Sequence, residues 1–496
     1  MNLTSLEEKL SDYGSAGYYL LESFILQLLN LEAASLDQIL ELESRRSHVK
    51  SDAFAPRGLG GLPGPLAIEV IQVLSPKRLE VELRRHLAHR SSEDEKLLLV
   101  CFRELAGNSV LVQKLKEEYS GQLYIWGAQE IQALLDKHEA AATELYKKIF
   151  SIRFKRAISN SADDWQKKRA EILAEVSEYY RAGRFSMFLG AGVSSSAGLP
   201  DWDTLLNSLF VSMLTDEDGG QRRADKEQIS SIVKRLRQVD GPSALMLARY
   251  IRKGVTASSG LEQNKFINSV TDQLYGLRDH RFSISSLLIK SIASLCTPSR
   301  TGARVRSVVT YNFDDLLERE LEVRGLTFKS IFEEIDLASP EELPVYHVHG
   351  FLPEDRTKYP NLNKSTLVFS EEGYHQIYGD AYHWSNLIQL NSLKETACLM
   401  VGLSLTDPNL RRLLEISAKS IDKPKHFAFL KRVNHDAFSK EDGKSIVRAP
   451  TSVTRMFLDR HHSLNEEVMK ELGVNIIWYE EYDDIPRLLA DVGKFI

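Results

Sequence analysis

Cysteine is nearly absent: the 496 residues hold only Cys101, Cys296 and Cys398, far apart and none in a C-x-x-C pair. That argues against a disulfide framework and a cysteine zinc site. It predicts three buried small hydrophobes in a reducing cytoplasm. Long apolar runs are also missing. The most apolar early stretch, YYLLESFILQLLNL at 18–31, carries Glu22 and Gln27. It is too short and too polar to span a bilayer and predicts an amphipathic or buried helix. The opening MNLTSLEEKLSDYG is acidic and mixed, without the pattern of a signal peptide. Neither charge dominates: 63 Lys and Arg stand against 69 Asp and Glu, a net charge of −6. The sum leaves no overall nucleic-acid footprint, although a local basic groove stays open. Gly443-Lys444-Ser445 has the ending of a phosphate loop, but Phe438 stands where its leading Gly is required. His461 and His462 are adjacent and cannot converge on one metal, so they read as a solvated loop.

What is present is a soluble globular composition, 43% hydrophobic and 27% charged, in a chain long enough for two or three domains. A charged stretch with helical spacing at 151–183, ending at Gly183, predicts a helical linker between residues 1–150 and 184–496. Beyond it, strand-like runs at 184–189, 304–312, 344–350, 365–370, 397–405, 426–432 and 474–480 alternate with helical patterns. Several of these runs are apolar without alternation, as in strands covered on both faces. The fold class predicted for 184–496 is α/β, a doubly wound Rossmann-like sheet with ligand beyond the carboxyl ends of its strands. A helical insertion is predicted at about 205–300. Residues 1–150 predict a smaller α/β domain, with a helix at 18–32, strands LAIEVIQ, KLLLVCF and LYIWG, and a helix AQEIQALLDKH.

Three segments carry the chemistry. Gly190-Ala191-Gly192 follows the apolar run RFSMFL and precedes a Ser-rich helix start containing Ser194. Such a turn lets a backbone approach a pyrophosphate, and the helix dipole favours its charge. Gly198-Leu199-Pro200-Asp201-Trp202 completes the segment. Asn312 and Asp314 lie at the end of RSVVTYN, where they face a cleft or, alternatively, cap the next helix. His349 ends a third run beside Gly350, and His347 lies two residues earlier on the same face of an extended strand.

Together these segments resemble the NAD site of the sirtuin family. The resemblance implies NAD contacts from Gly190, Ala191, Gly192, Ser194, Pro200, Asp201 and Trp202, with the Gly190–Gly192 loop and the helix after it at the pyrophosphate. It further implies that Asn312 handles the nicotinamide-side ribose and the attacking water, and that Asp314 helps to fix nicotinamide. His349 corresponds to the family's general base, and the neighbouring Gly350 favours it over His347. Gly402 and Ser404, in GLSLTDPN after the run ACLMV, match the segment that holds the adenosine ribose; Asp407 reads better as a helix cap. Deacylase sirtuins carry a four-cysteine zinc module after the His-Gly strand, and here 350–400 holds only Cys398. The chain looks like the zinc-free, defence-associated bacterial sirtuin-like proteins, over about 184–490.

That resemblance implies an NAD glycohydrolase making ADP-ribose and nicotinamide, with no metal and no cofactor beyond NAD as substrate. It implies an antiphage effector acting by NAD depletion, held in check as a homo-oligomer or by a translocase-type ATPase or phage-derived trigger. A deacylase or ADP-ribosyltransferase, or a nucleotide-sensing module governing a nuclease, are the alternatives. Residues 1–150 resemble the restriction-endonuclease-like fold, with Asp52 and Glu69 matching its two acids. Ile71 stands where its Lys belongs and Lys77 is the nearest replacement in sequence. A degenerate assembly domain is expected, with direct nucleic-acid binding undecided.

Overall fold

The computed structural model describes residues 2–42, 51–104, 110–159, 165–216, 262–300, 302–362, 382–419, 423–441 and 443–494, with isolated residues in 217–261 and 363–381. The chain groups into two compact units. One is Met1–Ser161 with Ala418–Pro424 and Asp459–Leu472; the other is Ala162–Ser417 with Lys425–Leu458 and Gly473–Ile496.

The first unit holds β1 (Glu41–Leu42), β2 (Ala53–Ala55), a small hairpin of β3 (Gly58–Leu59) and β4 (Leu62–Pro63), then β5 (Leu66–Leu74), β6 (Lys96–Glu104) and β7 (Leu123–Trp126). Its main sheet has the order β1-β2-β5-β6-β7. The strands β5, β6 and β7 run parallel, and β1 and β2 are antiparallel to their neighbours. Period-two alternation in β6 splits its side chains between two cores. Leu98, Val100 and Phe102 join Leu6, Phe24 and Leu28 of the N-terminal helices. Leu97, Leu99 and Cys101 join Leu79, Leu83 and Val112 on the other face. Ser75 caps the helix Pro76–His89 by accepting from the Arg78 amide, with Pro76 in the first turn where its missing N–H is harmless.

In the second unit the strands are β8 (Phe185–Leu189), β9 (Val305–Thr310), β10 (Phe328–Ile331), β11 (Leu343–His347), β12 (Ala397–Val401), β13 (His426–Lys431), a hairpin of β14 (Lys440–Glu441) and β15 (Lys444–Ser445), and β16 (Val474–Tyr479). Seven form one sheet in the order β10-β11-β9-β8-β12-β13-β16, every pair parallel. From β11 to β16 this is the doubly wound order, with β8 first and the chain crossing to the other half at β12. The crevice where the order reverses therefore lies at the carboxyl ends of β8 and β12. All five residues of β8 and of β12 are buried, which explains their nearly unbroken apolar sequences, Ser186 being the polar exception. The fold class is thus α/β, a Rossmann-like parallel sheet preceded by a smaller α/β region.

Several sequence expectations change. The middle of the insertion expected at about 205–300 lies, apart from isolated residues, outside the described residues at 217–261; its flanks are the helices Trp202–Asp216, Glu262–Gly276 and Leu287–Leu295. The strand expected at 365–370 also falls largely outside them. His461 and His462 are not in a loop: they sit on the helix Thr451–Glu471, whose amphipathic face buries His462 to 3% exposure. Gly443 lies in the turn of the β14–β15 hairpin and Lys444-Ser445 form β15, so no helix begins at this segment; the next one starts at Thr451.

Candidate functional site

The segment after β8 folds against the segment after β12. Gly190 N–H donates to Val401 O and Gly192 N–H to Gly402 O, both at 3.0 Å. These two amides are thus engaged within the protein. The glycines serve the close approach of two backbones: a Cβ on Gly190 would lie 2.6 Å from Gly402 O, and one on Gly402 2.6 Å from Val193 N. Gly402 also has φ +69, a left-handed conformation that favours glycine. Ala191 is exposed, and Ser194 is buried on the short helix Ala191–Ser195.

Asn312 lies two residues beyond the end of β9. Its Nδ2 donates to Gly190 O at 3.0 Å, and its main-chain N–H donates to Thr310 Oγ1 at 3.1 Å. Asp314 accepts Ser194 Oγ–H at 2.5 Å on Oδ2 and Leu316 N–H at 3.1 Å on Oδ1. It therefore clasps the segment after β8 to the start of the helix Leu316–Val323. Burial raises the Asp314 carboxyl to about 6, against the lowering effect of those two bonds. Leu189, Val193, Thr310, Asn312, Asp314 and Glu318 line a narrow pocket at these strand ends.

His349 lies beyond the end of β11, 8% exposed, with its ring edge-on to Tyr311 at 4.7 Å between centroids. Tyr311 in turn donates its hydroxyl to Gln389. His349 Nε2 is 3.9 Å from Asp407 Oδ2. Burial depresses the imidazole's affinity for a proton, and the Asp407 charge opposes that in part. The imidazole is thereby kept neutral at physiological pH, the form that can accept a proton. Asp407 is also the cap read from sequence: Oδ1 accepts Leu410 N–H at 2.7 Å at the head of Pro408–Ala418. Its nearness to His349 had no local sequence signal.

The two histidines part company. β11 ends at His347, so strand alternation does not carry on to His349. His347 turns to Glu318, with Nε2 and Oε1 2.6 Å apart, and is 1% exposed. Of the remaining positions, Asp201 Oδ1 accepts Thr204 N–H at 2.7 Å and caps the helix Trp202–Asp216. Pro200 precedes it, half-buried, and the Trp202 ring lies 5.7 Å from Phe313, next to Asn312. Ser404 is exposed and shares a 2.6 Å hydrogen bond with Thr406.

In the first unit, Asp52 and Glu69 do come together, and Lys423 rather than Lys77 reaches them. Lys423 Nζ lies 2.5 Å from Glu69 Oε2 and 3.8 Å from Asp52 Oδ1, while Arg85 holds Glu69 Oε1 at 2.7 Å. Ile71 is fully buried in the apolar core. Burial, then the Asp52 charge, pushes the Glu69 carboxyl up to about 7 despite both cations. Among the described residues no group of three His, Cys, Asp or Glu could hold a metal ion. No helix among them is long and apolar enough to cross a membrane.

Residues 306–449, which include Asn312, His349, Gly402 and Ser404, match the model of the SIR2-like domain. Over 330 residues the chain is 21% identical to the NAD(+) hydrolase ThsA of Enterococcus faecium. That alignment covers 65% of this chain and 58% of the relative, so the chain spans little more than half of that protein. The parallel sheet and the strand-end polar residues already placed agree with this likeness to a SIR2-like domain at residues 306–449.

Proposed function

We propose that the second unit hydrolyses NAD to ADP-ribose and nicotinamide. The observation that carries this reading is the placement of Asn312 and a buried, neutral His349 at the carboxyl ends of the neighbouring strands β9 and β11, beside the interlocked glycine segments. The pyridinium is already a cationic leaving group, so its bond to the ribose breaks without a general acid. Asn312 orients a water towards the anomeric carbon, and His349 takes the proton that the water gives up as its oxygen bonds there. Positioning and electrostatic stabilisation account for most of the acceleration.

The Gly190–Gly192 turn and Ser194 shape the pyrophosphate end, Trp202 borders the site near Phe313, and Gly402 and Ser404 border the adenosine ribose. Asp314 acts as the clasp beneath them. The resemblance to the defence-associated sirtuin-like proteins supports a wider reading, in which an enzyme that destroys NAD serves as a defence effector, kept silent until an oligomeric state or partner releases it. In the first unit, the neutralisation of Asp52 and Glu69 by Lys423 and Arg85 supports an assembly role over metal-dependent cleavage.

The test is purified protein incubated with NAD and resolved by chromatography. Nicotinamide and ADP-ribose should appear in equal amounts without any acyl-peptide. Asn312→Ala and His349→Ala should each reduce that release on the order of 10²-fold or more, and the double variant little further. Full activity in both single variants overturns the reading.

A further inference from the structure

Directly behind Asn312 lies a buried ionic pair, whose Glu318 also lines the narrow pocket while His347 does not. His347 Nε2 is 2.6 Å from Glu318 Oε1, and His347 Nδ1 is 3.2 Å from the main-chain oxygen of Asn312. The side chains of both partners are almost wholly enclosed, at 0% exposure for His347 and 2% for Glu318. Ser330 of β10 donates to the same Glu318 oxygen at 3.2 Å, and the Phe351 ring covers the imidazole at 4.0 Å between centroids.

The proton count follows from the partners. A peptide oxygen only accepts, so Nδ1 carries a hydrogen and donates to Asn312. A neutral imidazole has no second N–H to offer, yet Nε2 faces a carboxylate. One further proton must therefore sit on the short His347–Glu318 contact, which makes it charge-assisted. The Asn312 carbonyl is thus gripped by a donor backed by a buried carboxylate. On the other side, the Asn312 amide nitrogen is bonded to Gly190 O at 3.0 Å. Main chain and side chain of one residue are pinned from two elements, and Oδ1, its one side-chain acceptor, takes its direction from both.

We infer that His347 and Glu318 are positioning residues that hold Asn312 at the angle needed to orient the attacking water. This rests on the hydrolase reading above. His347 is too enclosed to meet substrate, so it acts through Asn312 alone. A misaligned catalytic group is costly: a displacement of about 1 Å can reduce turnover on the order of 10²-fold while leaving ground-state binding intact.

The experiment compares two double variants. His347→Asn/Glu318→Gln keeps an amide donor near the position of Nδ1 and leaves no buried carboxylate unpaired. His347→Leu/Glu318→Gln removes the donor at similar volume. Steady-state nicotinamide release gives kcat and KM, and thermal unfolding checks the fold. The Leu variant should lose kcat by about tenfold or more with KM within about threefold of wild type, and the Asn variant should regain most of that loss. Equal kcat in the two variants, or a loss confined to KM, overturns the inference. Should the Leu variant not fold, Glu318→Gln alone decides, since it weakens the donor without changing shape: unaltered kcat refutes the positioning role. A wild-type protein that releases no nicotinamide sinks the hydrolase reading itself; an active wild type with indifferent variants sinks only the positioning role.

Discussion

His426, the first residue of β13, links the stability of the SIR2-like unit to pH. Its ring is fully buried, and Nδ1 accepts the Cys398 N–H of the neighbouring strand β12 at 3.2 Å. Protonating Nδ1 would abolish that bond and place a charge in the core. Burial, then the adjacent Lys425 charge, pulls the imidazole from 6.5 down to about 3. The unfolded chain takes up the proton near the ordinary value, so between the two values the unfolded state binds more protons. Stability from this residue is therefore complete above about pH 6.5 and lost as the pH falls from there to about pH 3. At about pH 5 the difference is one and a half decades, equivalent to about 2 kcal/mol. His426→Asn offers Oδ1 where Nδ1 stood and cannot titrate. Urea unfolding at about pH 7.5 and about pH 5 should show wild type losing about 2 kcal/mol more than this variant. Carboxylates and other histidines titrate equally in both proteins and cancel in the comparison. Parallel losses in the two proteins refute the argument.

Asp407→Asn keeps an oxygen for the Leu410 cap but removes the charge 3.9 Å from His349. Because that charge raises the His349 pKa against burial, its loss extends the neutral base to lower pH, and the acid limb of the kcat/KM profile should move down. A limb that stays in place or moves up rejects the assignment of His349 as the base. Lys423→Ala leaves Glu69 and Asp52 with Arg85 as their remaining close cation among the described residues. The first unit should lose about 1–3 kcal/mol, and Lys423→Arg should retain most of it; thermal unfolding unchanged by Lys423→Ala refutes the clasp.

Legibility in the sequence follows the range of the interaction. The strands β8, β9 and β12 announce themselves because each is buried on both faces, so four or more consecutive side chains must be apolar or small. β10 went unrecognised, since Phe328-Lys329-Ser330-Ile331 is an edge strand with half its residues partly exposed. Asn312 and His349 were readable from strand ends and short motifs. Their supports were not. Glu318 meets His347 across 29 residues, and Lys423 meets Glu69 across 354. Neither pair leaves a periodicity in either segment, and only tertiary folding decides which buried acid finds which cation. The glycine turn was legible as a place of close approach, but not what approaches: the Gly190 and Gly192 amides meet the carbonyls of Val401 and Gly402.

His347 and His349 show why position in a motif settles less than surroundings do. Two residues apart in a strand, they would share a face and compete for one role. Here β11 stops at His347, and the chain turns through Gly350 at φ +108, where a left-handed residue is needed. His347 therefore stays in the sheet's layer, closed in by Phe351 and Glu318, while His349 is carried to the rim between Tyr311 and Asp407. The short carboxylate contact and the Asn312 carbonyl engage both nitrogens of the first ring, so neither is open to a proton from the cleft. At the rim a carboxylate 3.9 Å away only moderates the effect of burial, so the second ring remains neutral and able to accept one. The same side chain thus meets two different surroundings, and the end of one strand separates them.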